Sequence, residues 1–132
     1  MASLADSSKV VVKTSTLGGA GAFAAVDIKQ GEMVEFGLMR RLVNCDGNEN
    51  PFCFCWGEDG KTWAMGAGFS MLYNTVLNDG DENCKMTRFF DEDRFEIHSL
   101  RDITAGEELT HLYKSKAWRK CFAPLRGETT SA

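Results

Sequence analysis

A short motif that occurs twice places the strongest constraint on how this chain folds. Residues 27–34 and residues 102–109 both read Asp-Ile-x-x-Gly-Glu-x-apolar. In each copy we expect the Ile to enter the core, and the Gly to permit a turn with positive φ before a strand. Ordinary turn chemistry also favours glycine at such places. Two copies in one small chain nevertheless predict two similar β-turn-β arms that face each other.

The rest of the sequence alternates short apolar runs with turns. Seven segments are predicted to be strands: residues 9–13, 22–26, 32–42, 52–56, 85–90, 94–100 and 107–113. The acidic residues 91–93 are expected to form the tip of a hairpin. Residues 69–73 are predicted to form one helical turn, and residues 115–122 are the best candidate for a helix. With 13 glycines and little helix, the pattern predicts a mostly β domain.

Length and charge narrow the class of protein further. The chain has 132 residues, which fits one domain, and we expect a flexible N-terminus at 1–8, a folded domain at 9–122 and a tail at 123–132. The net charge of −4 argues against direct binding of nucleic acid. The sequence shows neither a membrane span nor a signal peptide. We therefore expect an intracellular protein, in nucleus or cytoplasm, with its five cysteines reduced.

Three motifs carry a resemblance to a known family. Residues 17–24 read LGGAGAFA, residues 69–74 read FSMLYN and residues 103–113 read ITAGEELTHLY. They resemble the opening, middle and closing motifs of SET domains, in the family's order and spacing, and the resemblance covers residues 9–118. The short chain and Trp118 resemble the minimal SET proteins of large algal viruses. The resemblance implies a β-clip fold of small curved sheets, with a C-terminal pseudoknot and little helix.

The resemblance also implies a function. SET domains of this kind are protein-lysine N-methyltransferases that use S-adenosylmethionine. The expected partner is a protein with a lysine-containing tail, and the viral resemblance favours histone H3. Small SET proteins can pair, so a homodimer is expected as one arrangement.

The same resemblance assigns the residues that would bind the cofactor. The backbone of Gly19, Ala20 and Gly21 would approach the methionine part of S-adenosylmethionine, because residues without bulk allow close contact. The Asn74 amide would hydrogen-bond it, since an amide both donates and accepts. The cofactor-binding set is Gly19, Ala20, Gly21, Asn74, Thr75 and Trp118, with the Trp118 ring over the adenine.

Tyr113 is the predicted catalytic residue. Its oxygen would orient the methyl group and stabilise the partial positive charge that develops on it. Tyr73 and Phe122 are expected to line the substrate channel with Tyr113. Two alternatives stay open here: Tyr73 can simply pack, and Trp118 with Phe122 can be a core pair four residues apart on a helix.

Some residues depart from the family pattern and leave other functions open. Thr75 and Val76 stand where the family has His and Ser, and the following Pro-Asn is absent unless Glu82-Asn83 replaces it. One alternative is therefore a SET-fold binding module without catalysis, and another is a β-clip domain without a cofactor. The cysteines and the two histidines, His98 and His111, lack the usual metal-ligand spacing, so no metal site is predicted.

Overall fold

Nine short strands form two sheets in the computed structural model, which describes residues 2–17, 19–50, 52–113, 118 and 120–126. The strands are β1 (Val10–Thr14), β2 (Ala20–Ala24), β3 (Met33–Arg41), β4 (Phe54–Cys55), β5 (Trp63–Gly66), β6 (Asn74–Thr75), β7 (Cys84–Phe89), β8 (Arg94–Ser99) and β9 (Glu108–His111). One sheet has the order β1-β2-β9-β6 and the other has the order β4-β5-β3-β8-β7. Three short 3₁₀-helices, Ser70–Leu72, Phe90–Glu92 and Lys120–Arg126, complete the described elements. The prediction of a mostly β fold of small sheets is confirmed.

The five-stranded sheet is built around β3, which pairs antiparallel with β8 and with β5. The predicted hairpin is confirmed, because β7 pairs with β8 and residues 90–93 make the turn. The turn is held from outside: the Asp93 carboxylate accepts hydrogen bonds of 2.9 Å from the Trp56 indole and from Arg41. Strand β5 was not predicted, because its short run WAMG contains neither alternation nor β-branched residues.

The four-stranded sheet brings the three motifs together. Strand β9 pairs antiparallel with β2, at Ala22 opposite Leu109, and parallel with β6, at Asn74 opposite Thr110. The opening, middle and closing motifs are therefore neighbours in one sheet. The parallel pairing sets β6, from the middle motif, beside β9, from the closing motif.

The duplicated motif folds as two reciprocal arms, as predicted. Ile28 and Ile103 form an isolated antiparallel bridge, with backbone hydrogen bonds of 2.8 and 2.7 Å, and both side chains are buried. Asp102 accepts a hydrogen bond from the N–H of Gln30, and Asp27 accepts one from the N–H of Ala105. Each arm thus caps the turn of the other, while Gly31 and Gly106 adopt positive φ, at 81° and 95°.

Asn83 closes the loop that precedes β7. Its amide donates to the carbonyl of Glu108 at 2.8 Å and accepts from the N–H of Thr110 at 2.9 Å, and the side chain is buried. Asn83, which belongs to the Glu82-Asn83 pair in the place of the family's Pro-Asn, therefore satisfies the carbonyl of Glu108 and the N–H of Thr110 in β9.

The structure adds contacts and element bounds near both ends of the chain. The segment expected to be flexible at 1–8 is paired at Asp6, which exchanges two backbone hydrogen bonds with Phe36. The first motif becomes strand earlier than expected, at Ala20, because β1 supplies a partner there. The C-terminal helix begins at Lys120 and continues to Arg126, so it extends into the predicted tail. Residues 114–117, 119 and 127–132 lie outside the described residues.

No helix that the structure describes has the length and apolar character to cross a membrane.

Replacing Asn83 by Ala is expected to lower the free energy of unfolding by about 3 kcal/mol, because it leaves a buried carbonyl and a buried N–H without a partner. Urea titration at neutral pH measures the change. Asn78→Ala is the matched control, since Asn78 is exposed in a nearby loop. Equal stability of the two variants would contradict the role assigned to Asn83.

Candidate active site

Glu108, at the start of β9, collects the segments of the candidate site. Its carboxylate accepts hydrogen bonds from the Ser15 hydroxyl at 2.7 and 2.8 Å and from the Asn74 amide at 2.9 Å. Asn74 donates a further bond of 3.2 Å to the carbonyl of Ala20. The Glu107 carboxylate instead forms an ion pair with Arg101 and accepts a hydrogen bond from the N–H of Thr104. Glu107 and Glu108 therefore contact different parts of the protein, as expected for adjacent side chains that point to opposite faces of a strand.

Gly21 is required by this network. A Cβ atom on Gly21 would lie 2.4 Å from Oε2 of Glu108 and 3.0 Å from Nδ2 of Asn74, so any side chain would separate the two groups. Gly19 differs, because the space beside it is open and its φ of +58° favours glycine. Gly19 forms an exposed turn that leads into Ala20, the exposed first residue of β2, and Ala20 lies next to Asn74.

The turn at Gly19 and its neighbours suit the binding of S-adenosylmethionine, the cofactor that the resemblance implies. The amino acid part of S-adenosylmethionine carries an ammonium and a carboxylate, which need acceptors and donors at close range. An exposed glycine turn offers backbone groups without steric hindrance, and Asn74 and the Glu108 carboxylate stand directly beside it. The predicted cofactor residues Gly19, Ala20, Gly21, Asn74 and Thr75 are therefore brought together, although their binding role stays a prediction.

Tyr113 is hydrogen-bonded through its backbone to the segment that contains Asn74 and Thr75. Its N–H donates to the Thr75 hydroxyl at 3.1 Å, and its phenolic hydroxyl donates to the carbonyl of Tyr73. The ring stands 4.9 Å from the His111 ring and 5.3 Å from the Phe122 ring, measured between centroids. Both ends of the side chain are thus fixed, which is what a positioned catalytic group needs.

The contacts of Tyr73 favour packing over a place in the channel. Its side chain is 1% exposed, and its hydroxyl donates to the buried carboxylate of Glu35 at 2.8 Å. Burial, followed by the neighbouring carboxylate, raises the pKa of Tyr73, and burial raises the pKa of Glu35. Glu35 also accepts from the N–H of Phe69 at 2.9 Å, so the pair anchors the loop that leads into β6.

A narrow cavity of about 30 Å³ lies at Tyr113. Aromatic, sulfur-containing and small side chains, together with one cation, line it: Phe52, Cys53, Phe54, Cys55, Ser70, Met71, Arg88, His111, Tyr113 and Phe122. We call this the Tyr113 cavity. Two predicted channel residues, Tyr113 and Phe122, meet in it. A larger cavity of about 530 Å³ lies along β7 and shares Arg88 and His111 with the first.

His111 is the site residue that the sequence did not reveal. It is 4% exposed, lines both cavities, and its Nε2 has no hydrogen-bond partner within the described part of the chain. Burial, with the charge of Arg88 as a smaller cause, lowers the pKa of His111 to about 3, so the imidazole is neutral at physiological pH. The available signal was its place two residues before Tyr113 in an extended segment, which puts both side chains on one face.

The C-terminal segment covers this region with Trp118 and Phe122. Trp118 is about half exposed and packs on the buried Trp63, at 6.3 Å between ring centroids, while Phe122 is buried against Tyr113. Trp118 lies in a turn and Phe122 in the helix that begins at Lys120, while residues 115–117 and 119 of the expected helix lie outside the described residues. The role of Trp118 at the adenine stays a prediction.

The cysteines do not form a metal centre in the part of the chain that the structure describes. None of the five cysteines, all of which the structure describes, forms a disulfide bond. Among the described residues, no group of three or more His, Cys, Asp or Glu side chains is arranged to hold a metal ion. Burial raises the pKa of the Cys84 thiol to about 12, so this cysteine is an inert core residue.

Comparison with protein families identifies the class. The family model of the SET domain matches residues 19–114, which is more than half of the chain. The chain therefore belongs to the SET domain family. A comparison with curated proteins gives no match.

Solved structures with the same fold are numerous. The chain is similar to a Plasmodium falciparum protein described as a histone methyltransferase, at 20% identity and a TM-score of 0.63, over 80% of this chain and 92% of that one. It is also similar to a humanized mutant of Polycomb Repressive Complex 2 of Chaetomium thermophilum bound to the inhibitor GSK126, at 29% identity and a TM-score of 0.64. That match covers 80% of this chain and only 15% of the other.

A third structure shows the same complex in an autoinhibited conformation bound to S-adenosylmethionine. The chain matches it at 25% identity and a TM-score of 0.64, over 83% of this chain and 16% of that one. The chain thus spans a small part of the Chaetomium protein and nearly all of the Plasmodium one.

His111 is expected to make stability depend on pH. Because an unfolded histidine titrates near 6.5 and the folded one near 3, the unfolded chain binds a proton at pH 5 that the folded protein does not. The free energy of unfolding should therefore fall by about 2 kcal/mol from this residue between pH 7 and pH 5. Urea titrations at both pH values, on wild type and His111→Phe, isolate the contribution.

The His111→Phe variant should lose this part of the pH dependence, whereas His98→Gln should keep it, since His98 is the other histidine and is not fully buried. The same slope for His111→Phe and wild type would show that His111 is charged in the folded protein or that it is not buried.

Proposed function

We propose that this protein transfers a methyl group from S-adenosylmethionine to a lysine side chain of another protein. The observation that carries the proposal is the position of Tyr113. Its backbone N–H donates a hydrogen bond to the hydroxyl of Thr75, which follows the predicted cofactor residue Asn74. Its ring lines the Tyr113 cavity together with Phe122. One residue therefore joins the place where a donor would bind to the place where an acceptor would enter.

The lining of the Tyr113 cavity suits a neutral amine. A lysine amine must lose its proton before it can act as a nucleophile, and its ordinary pKa is about 10.4. Both an apolar environment and a nearby positive charge lower that pKa. Among the described lining residues there is no carboxylate, while Arg88 is a cation and His111 is neutral and buried. These features favour the uncharged amine.

The residues on the other side of Tyr113 would hold S-adenosylmethionine. These are Gly19, Ala20, Gly21, Asn74, Thr75 and Trp118. When bound, this group supplies a methyl carried by a positively charged sulfur, which a neutral amine takes by in-line displacement. The contribution of the chain is to orient both partners and to exclude water.

Tyr113 would act on the transferred group through its oxygen. Its hydroxyl proton is already committed to the carbonyl of Tyr73, so the oxygen presents lone pairs and no proton to its surroundings. Such an oxygen stabilises developing positive charge without taking part in proton transfer. The hydrogen bond from the N–H of Tyr113 to the hydroxyl of Thr75 links the closing motif to the middle motif. Thr75, which stands in place of the family's histidine, thus connects these two segments through its side chain.

A histone tail, and histone H3 in particular, is the proposed substrate. The solved structures that support this include Polycomb Repressive Complex 2 of Chaetomium thermophilum in complex with H3K27me3 and H3K27M, which matches 81% of this chain at 27% identity. The net charge of −4 is compatible with a lysine-rich partner. A homodimer, an intracellular location in nucleus or cytoplasm, and the absence of direct nucleic-acid binding stay predictions.

Replacing Tyr113 by Phe is expected to reduce methyl transfer at least about 100-fold, because the oxygen that stabilises the transferred group is removed. The affinity for S-adenosylmethionine should stay within about twofold. Transfer is measured with methyl-labelled donor and mixed histones, and binding is measured by calorimetry.

Tyr73→Phe is the matched control, because Tyr73 is the only other tyrosine and its hydroxyl serves Glu35. It should lose stability and keep transfer at temperatures where it is folded. Normal turnover of Tyr113→Phe would remove Tyr113 from catalysis. Cofactor binding without transfer by wild type would favour the alternative of a binding module.

Asn74→Ala is expected to weaken binding of S-adenosylmethionine about tenfold, corresponding to the loss of hydrogen bonds worth about 1.4 kcal/mol. Calorimetry on the folded variant measures this, with thermal unfolding as the check that the Glu108 network has not collapsed. Asn78→Ala provides the comparison. Unchanged affinity in a folded Asn74→Ala protein would place the cofactor elsewhere.

A further inference from the structure

The helix at residues 120–126 has its first two N–H groups satisfied by a distant part of the chain. The first N–H groups of any helix have no partner inside the helix and must be satisfied from outside. Here Asn48 does this from a distant loop: its side-chain oxygen accepts from the N–H of Lys120 at 3.0 Å, and its carbonyl accepts from the N–H of Cys121 at 3.0 Å. One residue thus caps two successive donors of the C-terminal helix.

The loop that carries Asn48 is itself held in place. The Asp46 carboxylate accepts from the N–H of Asn48 at 3.0 Å, which fixes the turn. Gly47 packs so closely on Trp63 that a Cβ atom would lie 2.1 Å from the indole. Trp63 is buried in β5, so the capping loop rests on the five-stranded sheet.

The ion pair between Lys120 and Glu49, at 3.6 Å, adds little, because both side chains are about 70% exposed. The two hydrogen bonds of Asn48 are therefore the specific part of the contact.

The capped helix reaches the candidate active site at its third residue. Phe122 is 6% exposed, stands 5.3 Å from the ring of Tyr113 and lines the Tyr113 cavity. Just before the helix, Trp118 packs on Trp63, so the chain is docked on the same sheet that supports the capping loop. Phe122 therefore lies one residue beyond the two helix residues, Lys120 and Cys121, whose N–H groups are held by Asn48.

We propose that Asn48 is a positioning residue for the substrate: by capping the C-terminal helix it places Phe122 against Tyr113 and so sets one wall of the Tyr113 cavity, in which the amine at the end of the lysine would lie. The inference rests on the proposed function, since it gives a role in substrate binding to a contact outside the cavity. Asn48 touches neither Tyr113 nor the predicted cofactor residues among its described hydrogen bonds.

The test compares Asn48→Ala with Asn48→Asp, which keeps a side-chain acceptor for Lys120, and with the loop control Asn78→Ala. The substrate is mixed histones, or the histone peptide that wild type labels. In Asn48→Ala we expect KM for this substrate to rise at least about fivefold, with the affinity for S-adenosylmethionine unchanged by calorimetry. Asn48→Asp should restore KM to within about twofold of wild type.

A second readout follows the docking of the helix without any catalysis. Trypsin cleavage after Lys120 should accelerate severalfold in Asn48→Ala, and the near-ultraviolet circular dichroism of the Trp63–Trp118 pair should decrease. Asn48→Asp and Asn78→Ala should both resemble wild type in these measurements.

The outcomes separate the two proposals. Cleavage and dichroism equal to wild type in Asn48→Ala would overturn the capping role, and a raised cleavage rate with unchanged KM would overturn the positioning role. A wild type that transfers no methyl to any pool would refute the proposed function, and the substrate-positioning role with it, while the cleavage experiment would still decide whether Asn48 caps the helix.

Discussion

The carboxylate of Glu108 is the contact on which the arrangement of the candidate site depends. It accepts hydrogen bonds from Ser15, just after β1, and from Asn74, in β6, while its own strand pairs with both β2 and β6. Gly21 leaves the space that this grouping needs. The exposed turn at Gly19, the Asn74 amide and Tyr113 are thereby held close together, although they belong to three distant parts of the sequence.

Much of this fold could be predicted because its signals are local. The hairpin of β7 and β8 is encoded by two β-rich runs around an acidic turn, and the two Asp-Ile-x-x-Gly-Glu arms carry their own turn chemistry. The closing motif placed Tyr113 at the end of an extended segment, and the structure shows its hydroxyl and its N–H both engaged. Strand β5 escaped prediction because its pairing with β3, and not its composition, makes it a strand.

The remaining features of the site depend on contacts between distant residues. His111 and Glu35 are polar residues in strands, and their neighbouring sequence does not indicate that they are buried. In the structure His111 is buried against Tyr113, and Glu35 is buried where it accepts a hydrogen bond from Tyr73. Asn48 looks like an ordinary turn residue after Asp46-Gly47, because its partners at Lys120 and Cys121 become neighbours only when the chain has folded. The sequence allows Tyr73 either to pack or to line the channel for the same reason, and its hydrogen bond to Glu35 favours packing.

The central place of β9 has a consequence for how the protein is made. During synthesis β2 and β6 emerge from the ribosome before the strand that separates them, so both expose an unpaired edge until Glu108–His111 follows. Such edges invite pairing with other chains, and contacts as distant as Ala22 with Leu109 slow folding. Since the same late strand carries His111 and leads into Tyr113, the site assembles in the step that protects these edges. A nascent chain is therefore most exposed to aggregation just before the site exists, and a ligand of that site would stabilise only chains that have passed this stage.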